Sequence, residues 1–393
     1  MIWSPSTEQE IVDAAANELL TETHYLDLKR ELPPGNAGNK EIAKDIAAFA
    51  LDGGIILIGV DEATSPPSIN PVELDGLPER VEQVGAMRVQ EGVAVSTVAI
   101  ETPPGSGRGV LVVRVPASPR APHMADDKYY GRGDKRNRVL SHAEVLRLHQ
   151  QQVADHDDAI QAASRELDSF LGTTPSVKPP LMVALALPLG APPGMLKPLS
   201  AAVGEWQTTV HEMLKAAGVE GQQRAFDPNF GNTTPVRRAG AVAVRTYTKE
   251  GRGFEDKRAA ELQLRESGVL VLGSRRPVME AVREGGEEWI FEELIVSHTE
   301  LLVRLSGVLS DRFGFAGSWR FGLLVTGLED KTSYAAHGRM RHSEPYSEDR
   351  YEASAAASLV EINSAPQRVV EDLVGPLLRS LNSRALFPEL NSD

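Results

Sequence analysis

The first half of the chain alternates apolar stripes with short apolar runs. Ile42, Ile46 and Phe49 recur at helical spacing, which predicts an amphipathic helix over residues 40–50. The apolar run at residues 55–60 follows and has the length of a buried strand. The pattern also predicts helices at residues 8–20, 77–89 and 141–152, a strand at 25–29, and a hairpin of 93–101 with 109–116.

The second half opens on another apolar run of strand length, at residues 181–187. Residues 289–313 carry the longest amphipathic pattern and predict a helix, whereas residues 328–353 are polar and irregular and predict an exposed loop. Further predictions are helices at 198–217 and 366–386, the latter interrupted at Gly375-Pro376, strands at 240–247 and 320–326, and a hairpin of 261–265 with 269–272. The predicted fold class is mixed α/β (α+β).

The length of 393 residues predicts two or three domains. Ser141 and Glu144 have the spacing of a capping box and begin the last helix of the first domain. An acidic run at residues 155–158 and a segment rich in Pro, Ser and Thr at 173–180 mark the boundary. We therefore predict a domain at 1–152, a linker or helix at 153–178, and an α+β domain of unknown function at 179–393.

The amino-acid composition excludes several kinds of binding surface and of site chemistry. The chain has 41 basic and 55 acidic residues, a net charge of −14, which argues against a surface that is basic throughout for nucleic acid or membranes. Cysteine is absent, which excludes disulfides, thiolate-ligated zinc, iron–sulfur clusters and thiol nucleophiles. No apolar run approaches about 18 residues and the N-terminus lacks a signal-peptide pattern. We expect a cytoplasmic protein without a membrane partner.

One group of charged residues suggests a reaction. Asp27 and Lys29 are two residues apart on a predicted strand and so share a face. Glu22 lies just upstream, and Asp61 ends the next strand. Three adjacent carboxylates favour a divalent cation, and oxygen ligands favour Mg²⁺ or Mn²⁺. Such a metal with a nearby lysine is suited to phosphodiester hydrolysis. Solvated strand residues at Asp27 and Lys29, with Asp61 in a turn, are the open alternative.

A basic segment lies in the same predicted domain. Residues 108–147 contain nine basic and four acidic residues, although residues 1–150 are acidic as a whole. Basic residues interleaved with aromatic ones are suited to phosphate contact and base stacking. Strand alternation predicts that one tyrosine of the adjacent pair faces outward, and a charged hairpin with tyrosine packed inside is the alternative. The candidate binding residues are Tyr129, Tyr130, Arg132, Lys135, Arg136 and Arg138.

The order of these motifs resembles a known family. An acidic residue precedes Asp27-Leu28-Lys29; a helix ending in Ala48-Phe49-Ala50 and the run Gly53-Gly54 follow; an apolar strand then ends in Gly59-Val60-Asp61. Tyr129-Tyr130-Gly131-Arg132 then precedes the final helix. Over residues 18–150 this series is similar to the Schlafen AlbA-like domain. The chain departs from the family pattern in three ways: Asp27 stands for the usual Glu, Leu28 for an aromatic residue, and the usual Asn before the glycines is missing.

The resemblance implies a nucleic-acid-binding α/β domain with a mixed sheet. Nuclease members of the family cut RNA with a divalent metal, which assigns Glu22, Asp27 and Asp61 as metal ligands and catalytic residues, assisted by Lys29. It implies RNA rather than DNA, structured RNA such as tRNA as substrate, Mg²⁺ or Mn²⁺ as cofactor, and a homodimer. Other bacterial members imply the alternative, a non-catalytic DNA-binding transcriptional regulator or an interaction module.

Overall fold

The chain forms two compact units, Met1–Val153 and Ala154–Asp393, in a computed structural model. Helix His142–Leu171 runs across the division, so that residues 154–171, predicted as linker or helix, are helical. The structure describes residues 3, 5–17, 19–133, 135–171, 179–192, 194–202, 204–218, 234–246, 259–280, 286–337, 339 and 343–390, without the side chains of 152–157 and 171.

Unit 1 contains ten strands and three helices among its described residues, and the final helix begins in it. The helices are α1 (Glu8–Ala16), α2 (Gly35–Phe49), α3 (Leu77–Arg88) and the shared α4 (His142–Leu171). The strands are β1 (Leu26–Lys29), β2 (Gly54–Ile58), β3 (Val60–Asp61), β4 (Ser68–Ile69), β5 (Val72–Glu73), β6 (Ser96–Glu101), β7 (Arg108–Val115), β8 (Met124–Ala125), β9 (Lys128–Arg132) and β10 (Asn137–Val139).

The main sheet of unit 1 is mixed. Strand β1 is parallel to β2, and β7 is antiparallel to β2, β5 and β6. Ile56 and Ile58 of β2 belong to the core that α2 and α3 cover, whereas Ile55 and Leu57 belong to the core on the α1 side. Both faces of β2 are therefore buried, which explains its uninterrupted apolar sequence. The predicted hairpin of β6 with β7 is confirmed.

A small antiparallel sheet, β10-β9-β8, packs on α2. Strands β8 and β9 are joined by the two residues Asp126 and Asp127. Both have positive φ, as the central residues of a type I′ turn require. The Asp126 carboxylate lies 2.9 Å from the Lys40 ammonium of α2, so an exposed ion pair joins the β8–β9 turn to the helix. The candidate binding residues lie on β9, β10 and the turn between them.

Unit 2 contains ten further strands and six helices among its described residues. The helices are α5 (Lys197–Ala201), α6 (Trp206–Ala217), α7 (Glu292–Phe313), α8 (Tyr334–His337), α9 (Leu359–Ser364) and α10 (Pro366–Ser380). The strands are β11 (Leu181–Pro188), β12 (Thr234–Arg238), β13 (Ala241–Arg245), β14 (Ala260–Arg265), β15 (Leu270–Ser274), β16 (Val278–Glu280), β17 (Glu288–Ile290), β18 (Ser318–Thr326), β19 (Thr332–Ser333) and β20 (Arg350–Ser358).

A seven-stranded antiparallel sheet, in the order β12-β13-β14-β15-β11-β18-β20, forms the centre of unit 2. Helices α6, α7 and α10 cover one face, and the α4 residues Ala163 and Leu167 belong to the core on the other. The α+β class is thus confirmed. Two predictions were wrong: residues 328–353, predicted as loop, contain β19, α8 and the start of β20, and α10 continues through Pro376.

Helix α7 has no interruption, but it starts later than predicted because Trp289 belongs to β17. The predicted helix over 198–217 is divided into α5 and α6 around Gly204, whose φ of +90° is incompatible with a right-handed helix. No helix in the described part of the chain has both the length and the apolar sequence that a membrane span requires.

Candidate nucleic-acid interface and carboxylate site

A buried ion-pair cluster lies between β1 and α2. Asp27 and Lys29 share the face of β1 that meets α2, and their charged atoms are 3.1 Å apart. The Lys29 ammonium also lies 2.9 Å from a carboxylate oxygen of Asp45 and 3.1 Å from one of Glu41, both on α2. The predicted placement of Asp27 and Lys29 on one face is correct, but both side chains are largely buried and are not solvated strand residues.

Arg132 completes this cluster from β9. Its guanidinium lies 3.0 Å from the second carboxylate oxygen of Asp27 and donates hydrogen bonds to the carbonyls of Thr23 and Leu26. The guanidinium carbon is 4.5 Å from the ring centroid of Phe49. Only 2% of the Arg132 side chain is exposed. Arg132 is therefore corrected from a surface residue to a buried partner of Asp27.

Asn137 connects Arg132 to Asp45 within the cluster. It accepts a hydrogen bond from Arg132 at 2.9 Å and donates one to Asp45. Strand register explains the contact, because Asn137 and Arg132 are opposite each other on β10 and β9. The ion pairs thus tie the small sheet to α2 and to the first strand of the main sheet.

Electrostatics favour the charged form of Lys29. Burial alone would lower the pKa of Lys29, but Asp45 and Asp27 outweigh it and raise that pKa above its usual value. Glu22 is half-buried beside this cluster, and burial followed by repulsion from Asp27 and Glu62 raises the pKa of its carboxyl group. Lys29 and Arg132 supply the positive charge that a metal would otherwise bring to Asp27.

Asp61 has different partners from Asp27. Its carboxylate accepts a hydrogen bond from the backbone N–H of Ala63 at 3.0 Å and lies 3.7 Å from the Arg30 guanidinium. Nowhere in the described ranges are three His, Asp or Glu side chains grouped so that they could hold one metal ion. Because both oxygens of Asp27 face cations, the set of Glu22, Asp27 and Asp61 does not fit Mg²⁺ or Mn²⁺ as it is arranged here.

The two tyrosines of β9 face opposite sides, as strand alternation predicts. Tyr130 is buried in the core beneath the hairpin, and the Lys44 ammonium lies 5.9 Å from its ring centroid. It is therefore corrected from a binding residue to a core residue. Tyr129 is half-buried, and its ring meets the His149 ring of α4 edge to face with centroids 6.1 Å apart. Of the pair, Tyr129 is the tyrosine with a solvent-facing surface.

The exposed basic residues lie at the end of the hairpin that β9 forms with β10. Lys135 and Arg136 are exposed in the turn between β9 and β10. Arg138 is opposite Gly131 in the register, and since Gly131 and Tyr129 are two residues apart, Arg138 and Tyr129 share a face. We call Tyr129, Lys135, Arg136 and Arg138 the hairpin surface.

Arg138 differs from the two turn residues because it has an acidic partner. Its guanidinium holds both carboxylate oxygens of Glu144, at 2.7 and 3.1 Å. Glu144 also accepts hydrogen bonds from the backbone N–H and the hydroxyl of Ser141, and the Ser141 hydroxyl accepts one from the Glu144 N–H. The predicted capping box at the start of α4 is thereby confirmed.

Several side chains that contact the predicted site residues were not themselves predicted as site residues, among them Asp45, Asn137 and Glu144. Asp45 could have been found, because it lies within the apolar stripe of Ile42, Ile46 and Phe49, where a carboxylate must be paired. Glu144 was predicted as a cap, but its pairing with Arg138 needs the fold. Nothing in the sequence around Asn137 signals its bridge to Asp45.

The geometry defines a mixed-sheet α+β domain that presents an exposed basic hairpin. Residues 22–141 match the family model described as Schlafen, AlbA_2, which confirms the resemblance over these residues and suggests interaction with nucleic acid. No curated protein matches the chain. Among solved structures, the DIP2311 protein from Corynebacterium diphtheriae is 18% identical with a TM-score of 0.26, over 42% of this chain and 38% of that chain.

Proposed function

We propose that unit 1 binds nucleic acid, RNA in preference to DNA, through the hairpin surface. The observation that carries the proposal is the exposure of Lys135 and Arg136 at the tip of the β9–β10 hairpin, which also presents Tyr129. Lysine and arginine neutralise phosphates, and a tyrosine ring can stack on a base. The family match over residues 22–141 supports the same conclusion.

Fluorescence anisotropy with labelled tRNA, single-stranded RNA and duplex DNA tests this proposal. The double variant Lys135→Glu/Arg136→Glu should bind RNA at least tenfold more weakly, with a shallower salt dependence, because each lost phosphate contact removes about 0.7 from the slope of log K on log salt. The matched control is Lys197→Glu/Lys215→Glu, which changes two exposed lysines of unit 2 by the same charge. Equal weakening by both double variants would reject the hairpin surface as the binding site.

The nucleic acid that binds most tightly distinguishes the two kinds of binder. Tighter binding of tRNA than of duplex DNA supports the RNA preference, whereas the reverse supports the alternative of a DNA-binding regulator.

We also propose a homodimer, which light scattering on the size-fractionated protein would detect as twice the chain mass of 42.5 kDa.

Metal-dependent cleavage of RNA is the second candidate function. Glu22 favours it: burial and then repulsion from Asp27 and Glu62 raise the pKa of its carboxyl group, and a divalent ion would relieve that repulsion. The ion pairs of Asp27 with Lys29 and Arg132 oppose it. Incubation of tRNA and single-stranded DNA with and without Mn²⁺ tests it, with Asp61→Ala for comparison. Cleavage that Asp61→Ala abolishes would support this function, and equal cleavage by both proteins would point to a contaminant.

A further inference from the structure

The carboxylate of Glu144 takes part both in the cap of α4 and in an ion pair with Arg138. Its Oε2 closes the capping box with Ser141, and both of its carboxylate oxygens, Oε2 included, receive the planar fork of Arg138. The arginine and glutamate side chains are 49% and 32% exposed, so the pair lies on the surface within reach of a ligand. Arg138 shares its face with Tyr129 and belongs to the hairpin surface, so Glu144 is bound to one of the residues of that surface.

We propose that Glu144 is an intramolecular competitor of nucleic-acid phosphate for Arg138, an inference that rests on the proposed function. A guanidinium fork binds a carboxylate and a phosphate in the same bidentate geometry, so one occupies the position of the other. Solvent-exposed pairs of this kind are weak. A ligand that is held at the same time by Lys135 and Arg136 can displace Glu144 from Arg138. A single free phosphate lacks that second attachment and cannot, so the site selects a phosphodiester chain.

The cap keeps Glu144 in place when Arg138 leaves. The Ser141 N–H and hydroxyl donate to its carboxylate at 2.9 and 2.8 Å, independently of the arginine. Hydrogen bonds from Arg138 and Ser141 lower the pKa of Glu144 to about 2, so the competitor stays ionised at every pH at which the protein would be assayed. Competition therefore depends on salt and ligand length and does not depend on pH near neutrality.

Glu144→Gln separates the two roles of this residue. Glutamine can replace glutamate in a capping box, so the helix start is retained while the negative charge facing Arg138 is lost. We expect Glu144→Gln to bind single-stranded RNA about three- to tenfold more tightly at low salt, with a salt slope steeper by about one phosphate contact. Arg138→Gln should weaken binding. Glu144→Gln should give no tightening in the Arg138→Gln background.

Ser141→Ala is the matched control, because it removes the cap hydroxyl and keeps the charge of Glu144. It should lower the melting temperature without tightening RNA binding. Equal tightening by Glu144→Gln with and without Arg138 would show a general charge effect and overturn the proposal. So would weaker binding, which would mean that Glu144 positions Arg138. Binding by the wild type that Glu144→Gln leaves unchanged overturns this inference alone, and no binding by either protein overturns the proposed function as well.

Discussion

The guanidinium of Arg132 lies 3.0 Å from the carboxylate of Asp27. It also donates a hydrogen bond to the carbonyl of Leu26, which is 106 residues away along the chain. The contact joins the small sheet to the first strand of the main sheet. Both side chains are almost fully buried, so removal of either one alone would leave the charge of the other unpaired in the core.

Removing either partner should therefore destabilise unit 1 strongly. Arg132→Met and Asp27→Asn should each lower the free energy of unfolding by about 3–5 kcal/mol. The double variant should cost clearly less than the sum, since the second change removes the charge that the first left unpaired. Urea unfolding of the four proteins, followed by hydrogen exchange in β1 and β9, measures the coupling. Strict additivity would mean that the two residues do not stabilise each other.

Lys29→Met should make unit 1 sensitive to pH. In the wild type the pKa of Lys29 is raised, so its stabilising contribution is complete below its unfolded value and is lost only as pH rises through the higher folded value. Stability should thus be flat near neutral pH. Burial raises the pKa of Asp45, and the Lys29 ammonium opposes that rise. Without the ammonium Asp45 holds its proton more tightly in the folded chain than in the unfolded one, so stability should fall as pH rises from the unfolded pKa of an aspartate through the raised folded value.

The control for that experiment is Lys40→Met. Lys40 also pairs with an aspartate, Asp126, but on the surface, so its loss should cost about 0–1 kcal/mol without a new pH dependence. Denaturation midpoints at a series of pH values compare the two variants. A flat profile for Lys29→Met would contradict the buried role of this ammonium.

Glu292 should make unit 2 less stable as pH rises. Its side chain is completely buried at the start of α7 and accepts a hydrogen bond from the Ala335 N–H at 3.2 Å. Burial raises the pKa of Glu292 to about 7 from an ordinary value near 4.5. The unfolded chain ionises first, so stability falls between these two values, by about 3 kcal/mol in total, and is constant above them.

Glu292→Gln should remove this fall. Urea unfolding at pH 5 and pH 8 can be followed by tryptophan fluorescence, because three of the four tryptophans lie in unit 2. We expect the two proteins to converge at low pH and the variant to be the more stable at high pH. A wild-type profile that stays flat, or that rises with pH, would show that Glu292 is not the group that titrates.

Excess Mn²⁺ should leave the melting temperature of the wild type unchanged, because the carboxylate oxygens of Asp27 already face Lys29 and Arg132. Differential scanning calorimetry with Mn²⁺, and with Ca²⁺ for comparison, measures this. An upward shift with Mn²⁺ that Asp61→Ala abolishes would contradict the prediction and would favour the nuclease candidate.

The sequence predicts local structure well where one pattern dominates. Helix α2 and strand β2 follow from an apolar stripe and an apolar run, and the capping box of α4 follows from the spacing of Ser141 and Glu144. Strand β20 could not be found in this way, because alanine and serine have little strand preference and its sequence, Arg-Tyr-Glu-Ala-Ser-Ala-Ala-Ala-Ser, gives no clear alternation.

Partner choice within the site is harder to predict than position. The sequence places Asp27 and Lys29 on one face, yet it does not show that Arg132 turns inward while Arg136 stays exposed. Alternation allowed either tyrosine to face out, and only the packing of α2 decides that Tyr130 is the buried one. Long-range contacts of this kind depend on the assembled fold, which local spacing does not contain.

The order of strands in the central sheet of unit 2 has a consequence for synthesis of the chain. Strand β11 is made first but pairs with β15 and with β18, whose Thr326 lies 145 residues beyond Leu181. At about 5–20 residues per second, roughly 7–30 seconds pass between the synthesis of this apolar strand and that of its second partner. Unit 2 is thus exposed to aggregation while it is only partly translated, and co-expression of chaperones that bind apolar segments should raise its yield.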